Sequence, residues 1–154
     1  EVNEDLYGVE YAAVMKNIVA MACGIAHGLN LGDNFQAVLV SNAMQEIRFF
    51  LEAIHPLERD LFKSVYVGDL LVTSYSQFSR NRMFGNMIGQ GYTVKSAMVE
   101  MNMIAEGYYA VDSIMALIEK RSLEGMSITR AVYNILYKQG NSFDEFKGLM
   151  EKVS

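Results

Sequence analysis

Tryptophan is absent from this sequence, and proline and cysteine occur once each, at Pro56 and Cys23. With one proline, long helices can run without the breaks that a fixed φ and a missing N–H impose. A single cysteine excludes an internal disulfide. No secretory signal precedes it, and both features fit a reducing cytoplasm. The two histidines, His27 and His55, stand apart, and no carboxylates cluster with them, so a metal site is not expected. Charged residues make up only 20% of the chain and sum to -5, with a pI of about 5.0. No basic stripe is present, so nucleic acid is not an expected partner. Alternation of the strand type never lasts beyond four or five residues, and there is no internal repeat or low-complexity segment. A dinucleotide fingerprint is also missing. Gly89-Gln90-Gly91 has Val94 at its third position, and no strand precedes it. Nor does any local pattern suggest Ser-His-Asp catalysis.

What is present is apolar. Of 154 residues, 51% are hydrophobic, enough for one domain with a sizeable core. The 11 methionines read as flexible core filler. The longest apolar stretch, Tyr11 to Ala26, is interrupted by Lys16 and Asn17, which a membrane span tolerates badly. It reads as a buried helix. The first residue is Glu1, so a piece of a longer protein is expected.

Leu6 to Leu29 is apolar on nearly every side, as for a helix surrounded by neighbours. Asp33 opens a second long helix to about Ile54, with Gln36 as its capping-box partner. The two form an antiparallel hairpin with a tight connection. Pro56 suits the first turn of a short helix through Phe62. After Gly68-Asp69, Leu70 to Thr73 is a short apolar segment. Ser74 to Gly91 is the most polar stretch and reads as irregular, a setting in which function concentrates. Thr93 caps a helix to about Asn102, and Glu106-Gly107 reads as a break. Tyr108 to Arg121 is amphipathic, Ile128 to Lys138 follows Gly125, and Ser142 with Glu145 forms a capping box for a last helix to about Val153.

Lys16 is the most informative residue. Its helical neighbours Ala12, Ala13, Val19 and Ala20 are small or apolar, so a buried amine there needs a partner or a substrate. The bland alternative is a lysine that snorkels to the surface. The second cluster is Gly68-Asp69 followed by Ser79-Arg80-Asn81-Arg82. A guanidinium beside hydroxyl and amide donors grips anions, and phosphate suits it. Asp69 could hold a hydroxyl or orient an amine. The alternative here is a solvated turn with capping residues.

In this order the pieces resemble the C-terminal domain of bacterial NAD(P)-dependent glycerol-3-phosphate dehydrogenases. The resemblance rests on Gly8-Val9-Glu10, Lys16-Asn17, Gly24-Ile25-Ala26-His27-Gly28-Leu29, Gly32-Asp33-Asn34, Gly68-Asp69-Leu70, Ser79-Arg80-Asn81-Arg82 with Gly85, Glu106-Gly107, and Ala131 to Leu136. It implies an all-α, multi-helix substrate domain of the 6-phosphogluconate dehydrogenase C-terminal type, over residues 1–154. It also implies a separate N-terminal Rossmann domain that this chain lacks, and NAD or NADP bound mainly by that domain. The implied reaction interconverts sn-glycerol 3-phosphate and dihydroxyacetone phosphate, and a homodimer is a further expectation. Lys16 matches the family's catalytic lysine. Asp69, Ser79, Arg80 and Asn81 match substrate positions, and Arg80, Ile104 and Glu106 match cofactor contacts. Two positions depart from the family. Ile104 stands where a valine is usual, and Ser127 stands where proline is common. Two rival readings are a related hydroxyacid or polyol-phosphate dehydrogenase domain and a non-catalytic helical dimerisation module.

Overall fold

The computed structural model describes residues 6–61, 67–102 and 105–153, and among these every regular element is a helix. In chain order they are α1 (Leu6–Gly28), α2 (Asp33–Ile54), α3 (Val67–Tyr75), α4 (Arg80–Gly89), α5 (Val94–Met101), α6 (Glu106–Lys120), α7 (Ser127–Tyr137) and α8 (Ser142–Val153). The all-α expectation holds.

The fold is built around α1. Every residue from Ile18 to Ala26 is buried, and α2, α3, α4, α6 and α7 all pack against it. By length and composition α1 could cross a membrane. Here its all-round apolarity is matched by helices on all sides, as the sequence suggested. Tyr11 meets Phe50 edge-on and Tyr7 stacks on His55, so the start of α1 lies against the end of α2 and the hairpin is antiparallel.

The contact between α1 and α4 is different in kind. An added Cβ on Gly24 would lie 2.1 Å from the Arg82 carbonyl oxygen, and one on Gly28 would lie 2.3 Å from that of Asn86. In return, a Cβ on Gly85 would lie 2.1 Å from the Met21 oxygen, and one on Gly89 2.4 Å from that of Ile25. Two glycines spaced by four on each helix therefore let backbone touch backbone. The paired positions rise together along both helices, so α1 and α4 run parallel.

Four local expectations are corrected. Gly32, at φ 88, takes the cap position before α2, and no side chain caps that end. The Asp33–Gln36 capping box does not form, because Asp33 already lies inside the helix. Residues 56–60 are not helical, and Phe62 lies outside the described residues. The Arg59 guanidinium instead turns back to donate to the His55 carbonyl at 2.9 Å, closing the end of α2. Most of 74–91 is helix α4. Its glycines looked like breakers but are the contact with α1. At α8, Asn141 does the capping: its Oδ1 accepts the Asp144 N–H at 3.0 Å, one position ahead of Ser142.

The cap on α7 comes from far away in sequence. Glu46 of α2 is buried, and its Oε1 accepts the Ile128 N–H at 2.7 Å. Burial pushes its carboxyl from 4.5 up to about 8, against the pull of the Ile128 and Thr129 N–H groups and of Arg130. The folded protein thus holds this proton more tightly than the unfolded chain. The stabilisation is complete below about pH 4.5 and is lost as pH rises through 8. Glu46→Gln keeps an acceptor for Ile128 and cannot ionise. Thermal melts from pH 5 to 9 should show the parent losing a few kcal/mol relative to Glu46→Gln. Parallel curves for the two proteins would refute this account.

Candidate active site

Lys16 leaves α1 from a wall in which Ala12, Val19 and Ala20 are buried. Its side chain is 25% exposed, and Nζ donates to Asp69 Oδ2 at 3.2 Å. Asp69 sits in the first turn of α3, where the helix dipole favours a carboxylate, and is itself 59% exposed. So open an ion pair adds little to stability.

Ser79 ends the loop after α3 in an extended conformation, and its Oγ accepts the Arg82 N–H at 3.3 Å. Arg80 follows as the exposed first residue of α4, beside amide groups that no helical carbonyl satisfies. Asn81 is only 7% exposed, and its Oδ1 accepts the Gly107 N–H at 2.7 Å. That bond supplies the cap that Ala105 cannot give to α6. It also fixes the amide, since only the oxygen can accept from an N–H, and Nδ2 must point the other way. The Glu106-Gly107 step is therefore a helix start, and the break expected there is corrected.

Gly107 is required in this place. A Cβ there would come within 2.8 Å of Asn81 Oδ1, 2.9 Å of Met21 Cε and 3.0 Å of the Asn17 oxygen. The same crowding puts the Asn81 side chain near Asn17. By the register of the glycine contacts, Arg80 begins α4 at the level of Ile18 to Ala20, about one turn further along α1 than Lys16. On the far side of α6, the Tyr137 hydroxyl donates to the Tyr108 carbonyl and the two rings stack at 4.6 Å, securing that first turn to α7.

Lys16 and Asp69 are thus in direct contact, and Ser79, Arg80 and Asn81 are the cap and the first two residues of α4. Asn81 ties that turn to Glu106, which is exposed in the first turn of α6. No hydrogen bond joins the Lys16–Asp69 pair to the Ser79–Asn81 turn among the described residues, and Ile104 lies outside them. Sequence reasoning did not assign Gly107 or Arg82. Gly107 had no signal beyond a Glu-Gly pair. Arg82 could be suspected as the second arginine of its run, and its Nε donates to the Ser74 carbonyl at 3.1 Å. Cys23 is buried beneath this cluster, and burial pushes its thiol up to about 11, which leaves it unreactive.

The sequence model of the NAD-dependent glycerol-3-phosphate dehydrogenase C-terminus matches residues 5–146. A glycerol-3-phosphate dehydrogenase [NAD(P)+] of Staphylococcus carnosus is 41% identical over 148 residues, which are 96% of this chain and 44% of that protein. The crystal structure of the Coxiella burnetii glycerol-3-phosphate dehydrogenase superposes with a TM-score of 0.92 at 34% identity, covering 97% of this chain and 46% of that one. For the Saccharomyces cerevisiae enzyme the TM-score is 0.85 at 26% identity, covering 94% and 42%. The chain therefore spans less than half the length of these relatives. Within that span, the sequence match and the shared helical architecture agree, and the chain belongs to the NAD-dependent glycerol-3-phosphate dehydrogenase C-terminal family.

Proposed function

We propose that this chain is the substrate-binding and catalytic-lysine half of an sn-glycerol-3-phosphate dehydrogenase that works in the cytoplasm with an N-terminal Rossmann domain. The observation that carries this reading is the Lys16–Asp69 pair, 3.2 Å apart, with the anion-seeking start of α4 about one turn further along α1. Arg80 and the free N–H groups of that turn grip the substrate phosphate, with Ser79 and Asn81 beside them. Holding the phosphate fixes the reacting carbon at a set distance from Lys16.

Reduction of the ketone places negative charge on its oxygen. The Lys16 ammonium stabilises that charge and delivers the proton, and in the oxidation direction it takes the proton back. Asp69 keeps Nζ on line throughout. A bound nicotinamide supplies or accepts the hydride. This chain's residues fit a share in holding NAD or NADP. Exposed Arg80 and Glu106 lie at the first turns of two helices clamped together by the Asn81–Gly107 bond, a guanidinium for phosphate and a carboxylate for hydroxyls. Ile104 is assigned to the same contact by family match. The isolated chain binds substrate but does not turn it over, and a homodimer of the complete enzyme forms part of the reading.

The experiment is a titration of this chain with dihydroxyacetone phosphate, followed by amide chemical shifts. Saturable shifts are expected at Asp69 and Ser79 to Asn81, and they should vanish in Arg80→Ala. Equal shifts in the variant would defeat the assignment of Arg80.

A further inference from the structure

Arg82 closes the Ser79–Arg82 run, yet it does not share the exposure of Arg80. It is half-buried, and its Nε donates to the Ser74 carbonyl at 3.1 Å. Ser74 lies in the last turn of α3, where carbonyls lack helical partners and a cation is favoured by the dipole. There the Phe78 N–H, which could have met that carbonyl, donates to Ser76 Oγ.

Apart from its packing on α1, α3 has few anchors. It has nine residues, too few to be stable alone, and buries only Leu70 and Ser74. Of its other apolar residues, Leu71, Val72 and Tyr75 are exposed and Val67 is half-buried. Its first turn is held by Asp69 on Lys16 and its last turn by Ser74 on Arg82. The Arg82 end of this second tether cannot drift. The Arg82 carbonyl oxygen occupies the place where a Cβ on Gly24 would fall 2.1 Å away, inside the tight contact of α1 with α4.

We propose that Arg82 is a positioning residue that holds α3 so that Asp69 stays on Lys16, and that it couples this pair to the phosphate-gripping turn of α4. The inference rests on the dehydrogenase reading above. Arg82 touches neither substrate nor cofactor and acts through the Ser74 carbonyl. Without it, α3 pivots about Leu70 and Asp69 leaves Nζ, while Arg80 and the start of α4 remain as they were. Chemistry suffers and phosphate binding does not.

The test is steady-state kinetics with dihydroxyacetone phosphate in the complete polypeptide that carries this chain, with folding checked by circular dichroism. Arg82→Met should lower kcat about tenfold or more and leave KM within about twofold. Arg82→Lys, which keeps a donor and the charge, should restore most of kcat. Arg80→Ala, run beside them, should raise KM. Should Arg82→Met fail to fold, Arg82→Leu, which likewise has no donor, carries the same expectation. A kcat within about twofold of the parent would overturn the proposal, as would a KM that rises in step with Arg80→Ala. Absence of turnover in the parent itself, or an unchanged KM in Arg80→Ala, would instead overturn the dehydrogenase reading.

Discussion

Lys16→Met in the complete polypeptide lowers kcat/KM for dihydroxyacetone phosphate by about 10³-fold or more, with the fold retained. A positioned general acid contributes roughly 10² to 10⁴-fold, and the charge facing the developing alkoxide adds to that. Methionine matches the length and apolar character of the lysine stem, and the buried surroundings of Ala12, Val19 and Ala20 accept it. Asp69, left without its partner, is open enough to be solvated, so the melting temperature should hold or rise. Kinetics and a thermal melt on the same preparation decide the matter. Turnover within about tenfold of the parent would remove Lys16 from the chemistry and favour the helical dimerisation module in its place.

Gly24→Ala carries the largest effect on stability. The new methyl would meet the Arg82 oxygen at 2.1 Å and the Asn86 nitrogen at 2.8 Å. Both are backbone atoms, so no side chain can swing away. α1 and α4 must part, and the reciprocal contacts at Gly28, Gly85 and Gly89 open with them. A loss on the order of 3 kcal/mol or more is expected, above the ordinary range for overpacking because a whole helix contact is involved. In a domain of this size that lowers Tm by about 10 °C. Gly148→Ala is the contrast. Nothing lies within 4 Å of a Cβ there, in the body of α8, so helix propensity alone should raise stability by up to about 1 kcal/mol. Similar melting curves for both variants would mean that the close approach of α1 and α4 is not tight in solution.

Local chemistry that acts within one helix was legible in the sequence. The apolar surroundings of Lys16 left open a partner or a side chain that reaches the surface, and in the structure Lys16 meets Asp69 with a quarter of its side chain exposed. The two long helices have the expected bounds, α1 to within a residue, because apolar periodicity and the Gly32 turn are local signals. Thr93 caps α5 as read, its Oγ1 accepting the Ser96 N–H at 3.0 Å. Features that depend on distant partners were not legible. Gly85 and Gly89 have the look of loop residues until α1 presents Gly24 and Gly28 to them. Nothing near Ser127 announces that Glu46 will cap α7 across 82 positions of chain. The Glu106-Gly107 step resembles a break because its cap, Asn81, comes from another helix. At the site the sequence supplied the residue types, and tertiary contacts decided their roles. Ser79 became a cap and Asn81 a bridge, whereas Arg80 remained exposed.

The meeting of α1 with α4 also bears on how far this domain can change. Much of its interior is soft: Met15, Met21, Met115 and Met126 are buried, and such side chains absorb a neighbour's substitution by changing shape. The spacing of α1 and α4 does not pass through that material. It is gauged by two main chains in contact, with no side chain between them to lengthen or shorten it. Core residues can be exchanged one after another over generations while the gauge keeps its setting. The composition of the interior and the spacing of these two helices are thus free to evolve apart.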